Sequence, residues 1–377
     1  MGVPRLRNLS ALFAVMIVFG IAQICWSQDN SGNWNSSNQQ ESPNGASNPT
    51  RTSESHTVVD GKVIDRITVE SLGPDGRYVP YSVTEKESVR VNDTTTRNIE
   101  RTFGRGPDGQ RTLIQEKQEE SRSLPGGEQK IVRTTSSPDG NGALQLVRRE
   151  SEDSKQVSPE VRQTNTTVFT PDVNGGLAPT VRIEQRDTKN TDGTVQFTKS
   201  TSLADGTGRW QLSEVREGIS KQKGGQVSSQ DVRVLKPDSN GNLSVVERTV
   251  TTQAESRPGE KRETTRTYST NVPGQAVDGG LQLVQRETTT QRMSASGAQT
   301  TTRQIEQPNP GDPAAGLEVT EEAIDILRPG SSGATNDTQT ILTPDSDGRM
   351  GEVWVDMGQT DKPTAVQVDT HTPAKPK

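Results

Sequence analysis

Pro-Asp or a close variant returns about every thirty-three residues along most of the chain, at Pro74, Pro107, Pro138, Pro171, Ala204 and Pro237. A fixed period of this length means an array of one small unit, and each unit must then meet its neighbours in the same way. The copies are clearest in SPDGNGALQLVRRE (137–150), TPDVNGGLAPTVRIE (170–184), KPDSNGNLSVVERT (236–249) and the drifted VDGGLQLVQRET (277–288). Leu144, Leu177, Leu243 and Leu281 are each followed five residues later by an arginine, at Arg149, Arg182, Arg248 and Arg286. About nine units are expected, with looser spacing beyond Pro237.

Each unit carries a second turn cluster, such as SLPGGEQ (123–129) or KQKGGQ (221–226), and a Thr-rich return segment. Pro-Asp-Gly and Asn-Gly supply a pre-set φ and then a positive φ at little steric cost, so each unit reads as a β-hairpin. Leu243, Val245, Glu247 and Thr249 alternate with Ser244, Val246, Arg248 and Val250, a strand period rather than a helical one. Apolar residues cluster beside the Pro-Asp turn and are placed on both faces, while the far ends of the hairpins are polar. With 27% hydrophobic and 3% aromatic residues, the chain lacks the continuous apolar face that two-layer packing requires. The expected fold is all-β: an extended antiparallel meander of about nine hairpin repeats, forming a thin open twisted sheet with disordered termini. Cross-strand Thr-Thr and Arg-Glu pairs would supply much of the cohesion.

The Asp-x-x-Gly-x-Leu units, each followed by a second glycine turn, look like the YD repeats of Rhs-type shell proteins. That resemblance covers about 70–350 and implies hairpins in series. The units here are longer and the chain holds only three tyrosines; the resemblance lends no residue a function.

Four segments are expected. Residues 1–27 read as a signal peptide, with Arg5 and Arg7 before the apolar run Ala11–Ile24 and a small residue at Ser27. Residues 28–56 read as a Ser/Asn/Gln-rich disordered linker, 57–360 as the β-hairpin array and 361–377 as a disordered tail. The expected location is secreted, periplasmic or cell envelope, with no membrane-spanning segment once the signal is removed. Cys25 is the sole cysteine and would leave with the signal, so disulfides are not expected to hold the fold.

Chemistry-bearing candidates are few. The Asp-x-Asn/Asp-Gly stretches at Asp139, Asp172, Asp238 and Asp345 start like calcium loops but have no acidic residue at a fixed downstream position to close the shell, and turn formation explains them without a metal. His56 and His371 lie outside the array. No catalytic residue, cofactor site or metal site is assigned, and no enzyme activity is expected. Charges alternate in sign, which argues against a nucleic-acid partner. A transmembrane barrel is disfavoured, because Thr, Arg, Glu and Gln occupy the positions that lipid would meet. The expected function is a secreted structural scaffold of the extracellular space or cell envelope. The alternative is a polysaccharide- or protein-binding module that uses the repeated strand-face side chains Arg149, Arg182, Arg248 and Arg286, with polysaccharide, an envelope protein or the chain itself as partner.

Overall fold

The computed structural model describes residues 34–41 and 49–360, apart from breaks at 60, 74, 107–108, 224–225, 258, 271–279, 310, 330–334 and 346. The expected signal peptide and tail lie outside the described residues. Twenty strands follow in chain order: β1 (Trp34–Glu41), β2 (Thr50–Val59), β3 (Lys62–Leu72), β4 (Tyr78–Asn92), β5 (Thr95–Arg105), β6 (Arg111–Ser123), β7 (Gln129–Pro138), β8 (Leu144–Ser158), β9 (Val161–Pro171) and β10 (Leu177–Lys189). The second half comprises β11 (Thr194–Ala204), β12 (Trp210–Lys223), β13 (Gln226–Pro237), β14 (Leu243–Arg257), β15 (Glu260–Ser269), β16 (Gln282–Met293), β17 (Gln299–Asn309), β18 (Asp312–Pro329), β19 (Thr335–Pro344) and β20 (Met350–Thr360). Strands β2 to β20 form one antiparallel meander, each paired with its sequence neighbours, as the hairpin reading requires.

The expected all-β antiparallel meander is present, and one expectation is corrected. Residues 34–41 and 50–56, placed in a disordered linker by composition, are strand residues of β1 and β2. The two ends of the meander meet through one further strand. β2 and β20 do not pair with each other, but β1 lies between them and pairs with both, Asn38 opposing Thr52 on one side and Gly358 on the other. Backbone ladders carry this bridge, and ladders need no apolar residues, so a hydropathy scan of WNSSNQQE gives no sign of it.

The turns show why Pro-Asp recurs. Pro138, Pro171 and Pro237 end β7, β9 and β13, where φ is already fixed and no donor is lost from the ladder. The aspartate that follows accepts two backbone N–H groups on one oxygen: Asp139 Oδ1 from Asn141 and Ala143, Asp238 Oδ1 from Asn240 and Asn242. Gly241 N–H donates to the Asp238 carbonyl, and Asp238 N–H to the Asn242 carbonyl. This is a type I turn closed by a glycine in the left-handed region, Gly241 at φ 82°. Asp139, Asp172, Asp238 and Asp345 all build it.

Packing contributes little. Among the described residues only Val83, Val168 and Val234 are buried hydrophobics. The ladders and cross-strand side-chain pairs therefore hold the sheet.

Candidate functional site

A β-bulge beside each Pro-Asp turn decides which face the repeated residues occupy. In the β7–β8 ladder Thr135 opposes Arg148 and Ser136 opposes Leu146, so Val147 has no partner. The same shift leaves Tyr81, Ile114, Thr180, Ser213 and Val246 unpaired, each thirty-three residues from the next such position. Five residues normally place two side chains on opposite faces of a strand. The bulge restores the phase, so Leu144, Leu146 and Arg149 share one face. Apolar residues were expected on both faces near the turn. They occupy both: Leu144, Leu146, Phe169 and Leu235 lie on the face that carries Arg149, while Val168 and Val234 lie on the other.

Following the register from hairpin to hairpin, this face carries Leu72 opposite Tyr78, Phe103 opposite Leu113, Pro138 opposite Leu144, Ala204 opposite Trp210, Leu235 opposite Val245 and Tyr268 opposite Leu283. The result is an apolar belt running along the Pro-Asp edge from β3 to β20, where Pro344 opposes Met350. Leu144 and Leu243 remain 44% exposed within it.

The belt faces outward. Asp139 N–H bonds to the Ala143 carbonyl, so the next pair, Pro138 and Leu144, is non-hydrogen-bonded and Leu144 directs its own N–H and C=O toward β9. For an L-residue whose side chain points at the viewer on a rising strand, those groups point right. Seen from the belt side with β8 rising, β9 is therefore on the right. Opposed residues traced rightward, His56, Asp65, Lys86, Glu100, Lys117, Thr135 and Arg148, descend steadily toward the Pro-Asp turns. A sheet that coils right-handedly about a barrel axis shows this descent from outside.

Above the belt, at one level of the outer face, lie the four arginines singled out by their spacing. Two stack on rings: the Arg149 guanidinium is 5.9 Å from the Phe169 centroid and that of Arg182 is 4.6 Å from Trp210. Arg248 grips Asp231 through Nε and Nη2 at 2.9 and 2.6 Å, and Arg286 grips Glu306 in the same bidentate way. Arg248 holds the Asp231 carboxyl below the usual carboxylate range through those bonds. Arg51 over Tyr78 and Arg111 over Phe103 repeat the stacking, at 5.0 and 3.7 Å. These two escaped the sequence analysis because neither follows the Leu-to-Arg spacing; the aromatic residue beside the turn was the available signal. Structural partners engage all four predicted arginines.

The inner face is polar and cross-linked by ion pairs. Arg133 on β7 reaches Glu119 on β6 at 2.6 Å and Glu152 on β8 at 2.8 Å. Lys117 meets Glu100 at 2.9 Å, and Arg303 meets Glu287 at 2.7 Å. On β18 and β19, Asp325 and Asp337 sit diagonally on this face, each with one carboxylate oxygen buried and unbonded. Burial and then the neighbouring Asp325 push the Asp337 carboxyl up to about 7. Neither residue stood out in the sequence, since their proximity depends on the register between two strands. Among the described residues no group of three or more His, Cys, Asp or Glu is arranged to hold a metal. Backbone N–H groups of Asn242 and Asn240 hold the Asp238 carboxyl below its usual range. His56 Nδ1 lies 2.5 Å from Asp65 within the β2–β3 ladder.

No family model matches the chain, and no curated protein matches it. Solved structures with a similar strand arrangement include OpdO of Pseudomonas aeruginosa, at 8% identity and TM-score 0.38, covering 87% of this chain and 96% of that one. The ferric citrate transporter FecA in its unliganded form is 9% identical at TM-score 0.40, covering 87% and 70%. A bacterial polysaccharide outer membrane secretin is 6% identical at TM-score 0.30, covering 88% and 98%. The similarity is one of strand arrangement only.

The expected scaffold function, and with it the polymer-gripping strand face, is corrected. A spacer ribbon has two free edges, whereas both edges here share β1.

Proposed function

We propose that this chain is an exported β-barrel of the cell envelope whose wide polar bore lets hydrophilic solutes pass, without chemistry of its own. The observation that supports it is the bridging of both sheet edges by β1 around a face lined by Arg133, Glu119, Glu152, Lys117 and Glu100. Twenty strands about 4.8 Å apart and tilted by about 40° enclose a bore roughly 40 Å across between backbones. Such a bore stays filled with water, because no apolar side chains are large enough to fill it. The outer face carries an apolar belt only two side-chain rows deep, roughly 10 Å, against the band of about 25 Å on barrels that span a membrane. The barrel is therefore a hydrophilic passage at a membrane rather than a span through it.

The test uses thiol labelling, with Cys25 replaced by serine. Neighbouring Thr166 and Thr167 point to the inner and outer faces, so each is changed to cysteine alone and treated with maleimides of graded size. Both react with small reagents, and only Thr167→Cys reacts with polymers wider than the bore. Equal reaction with the widest polymer would rule out an enclosed passage. Fractionation of producing cells should also recover the protein with the envelope, and recovery in the medium alone would remove that location.

A further inference from the structure

We infer that the β2–β20 seam is an interaction surface for an extended polar strand, and that β1 of a second copy of this chain can occupy it by exchange. The ladders of β1 are the two shortest among the described strands: seven opposed pairs with β2 and six with β20, against eight or more everywhere else. The β1–β20 ladder is also the one that no hairpin supports, since residues 36–41 meet residues 355–360 across almost the whole chain. Every other ladder joins strands adjacent in sequence, and the short connections that hold them together greatly reduce the entropy lost on pairing. Release of β1 is thus the least costly opening of the ring.

The sequence of β1, WNSSNQQE, has one apolar residue, so its place in the sheet rests on backbone hydrogen bonds. Once β1 leaves, β2 and β20 present unpaired N–H and C=O groups over most of their length, an edge that selects for any antiparallel strand of the same register. An identical β1 from another copy fits by construction, which is the usual low-cost route to exchange. Eight residues separate Glu41 from Thr50, and fully extended they reach about 27 Å, enough to carry β1 to an adjoining ring.

Gln40 and Asp356 are directly opposed, so a disulfide between cysteines at these positions reports who occupies the seam. Two full-length proteins bearing different tags are prepared with Cys25 replaced by serine, one carrying Gln40→Cys and the other Asp356→Cys. Mixed at high concentration and oxidised, they form a disulfide joining the two tags, in a yield that rises with concentration. The doubly substituted protein locks within one chain at low concentration, and once locked it loses any dimer seen by light scattering. Efficient locking in the double variant with no cross-link between the single variants overturns exchange while leaving the ring intact. Failure of the double variant to lock at all overturns the ring, and with it both this inference and the bore.

Discussion

At the scale of single residues, this protein relies on side chains that satisfy backbone or charge rather than fill volume. The turn aspartates are the clearest example: each occupies one oxygen with two N–H groups of its own loop, so the residue that looked like a metal ligand is committed to shaping the chain. Asp337 behaves differently. Its carboxyl titrates near 7 in the folded state against 3.8 for the free group, so the fold favours the protonated form. The sign follows from linkage: no penalty exists below about pH 4, it grows as pH rises, and it is complete above about pH 7. Asp337→Asn is therefore expected to leave the melting temperature unchanged at pH 4 and to raise it at pH 8, where the gain in stability is on the order of 2 kcal/mol once solvent screening of this half-buried pair is allowed for. Thermal melts followed by circular dichroism at the two pH values check this, and no gain at pH 8 would show that the pair does not cost stability.

At the scale of the hairpin, the bulge explains a sequence regularity that strand periodicity alone misreads. Leu and Arg five residues apart belong on opposite faces of a regular strand, yet Leu144 and Arg149 share one because Val147 is extra. Deleting Val147 should invert the faces of everything on one side of it, driving Leu144 and Leu146 into the polar bore or lifting Arg149 off Phe169. We expect a loss of about 2–4 kcal/mol, whereas Val147→Ala, at a side chain already 39% exposed, should cost under about 1 kcal/mol. Comparable losses in denaturant melts of the two variants would contradict the bulge. A second element shows the same dependence on a neighbour. Gly218 opposes Phe197, and a Cβ there would come within 2.6 Å of the ring and 2.8 Å of the Asp231 carbonyl oxygen, so the glycine marks where an aromatic lies across the strand.

At the scale of the whole molecule, an even number of strands matters. Twenty alternating strands leave β1 antiparallel to both β2 and β20, so the seam uses the same ladder as the rest of the sheet. Removing residues 138–170 excises β8 and β9 with one Pro-Asp turn and leaves eighteen strands, still even. The deletion variant should fold, keep its β signal and close on a bore about a tenth narrower, because barrel diameter follows strand number nearly linearly. With Thr102→Cys on the inner face of the retained β5 as the probe, the deletion variant would exclude maleimide polymers that enter the parent protein carrying the same change, and an unchanged size limit would speak against a closed ring.

The sequence by itself determined the hairpin, its period, the turn chemistry and the antiparallel meander, because each of these is local: Pro-Asp-x-Asn-Gly can shape its five residues without help from the rest of the chain. It also determined that no thick core would form, since 27% hydrophobic residues cannot cover two layers. Tertiary structure alone decided how the meander ends. Closure depends on a ladder between residues more than three hundred positions apart, carried by backbone groups that every sequence possesses, and so WNSSNQQE looked like a linker and the sheet looked open. The pairing of Asp325 with Asp337 and the choice of outer face for the four arginines came from the same source. Register and bulges place side chains together across strands, and a hydropathy pattern read along one strand carries no record of which residue will stand opposite.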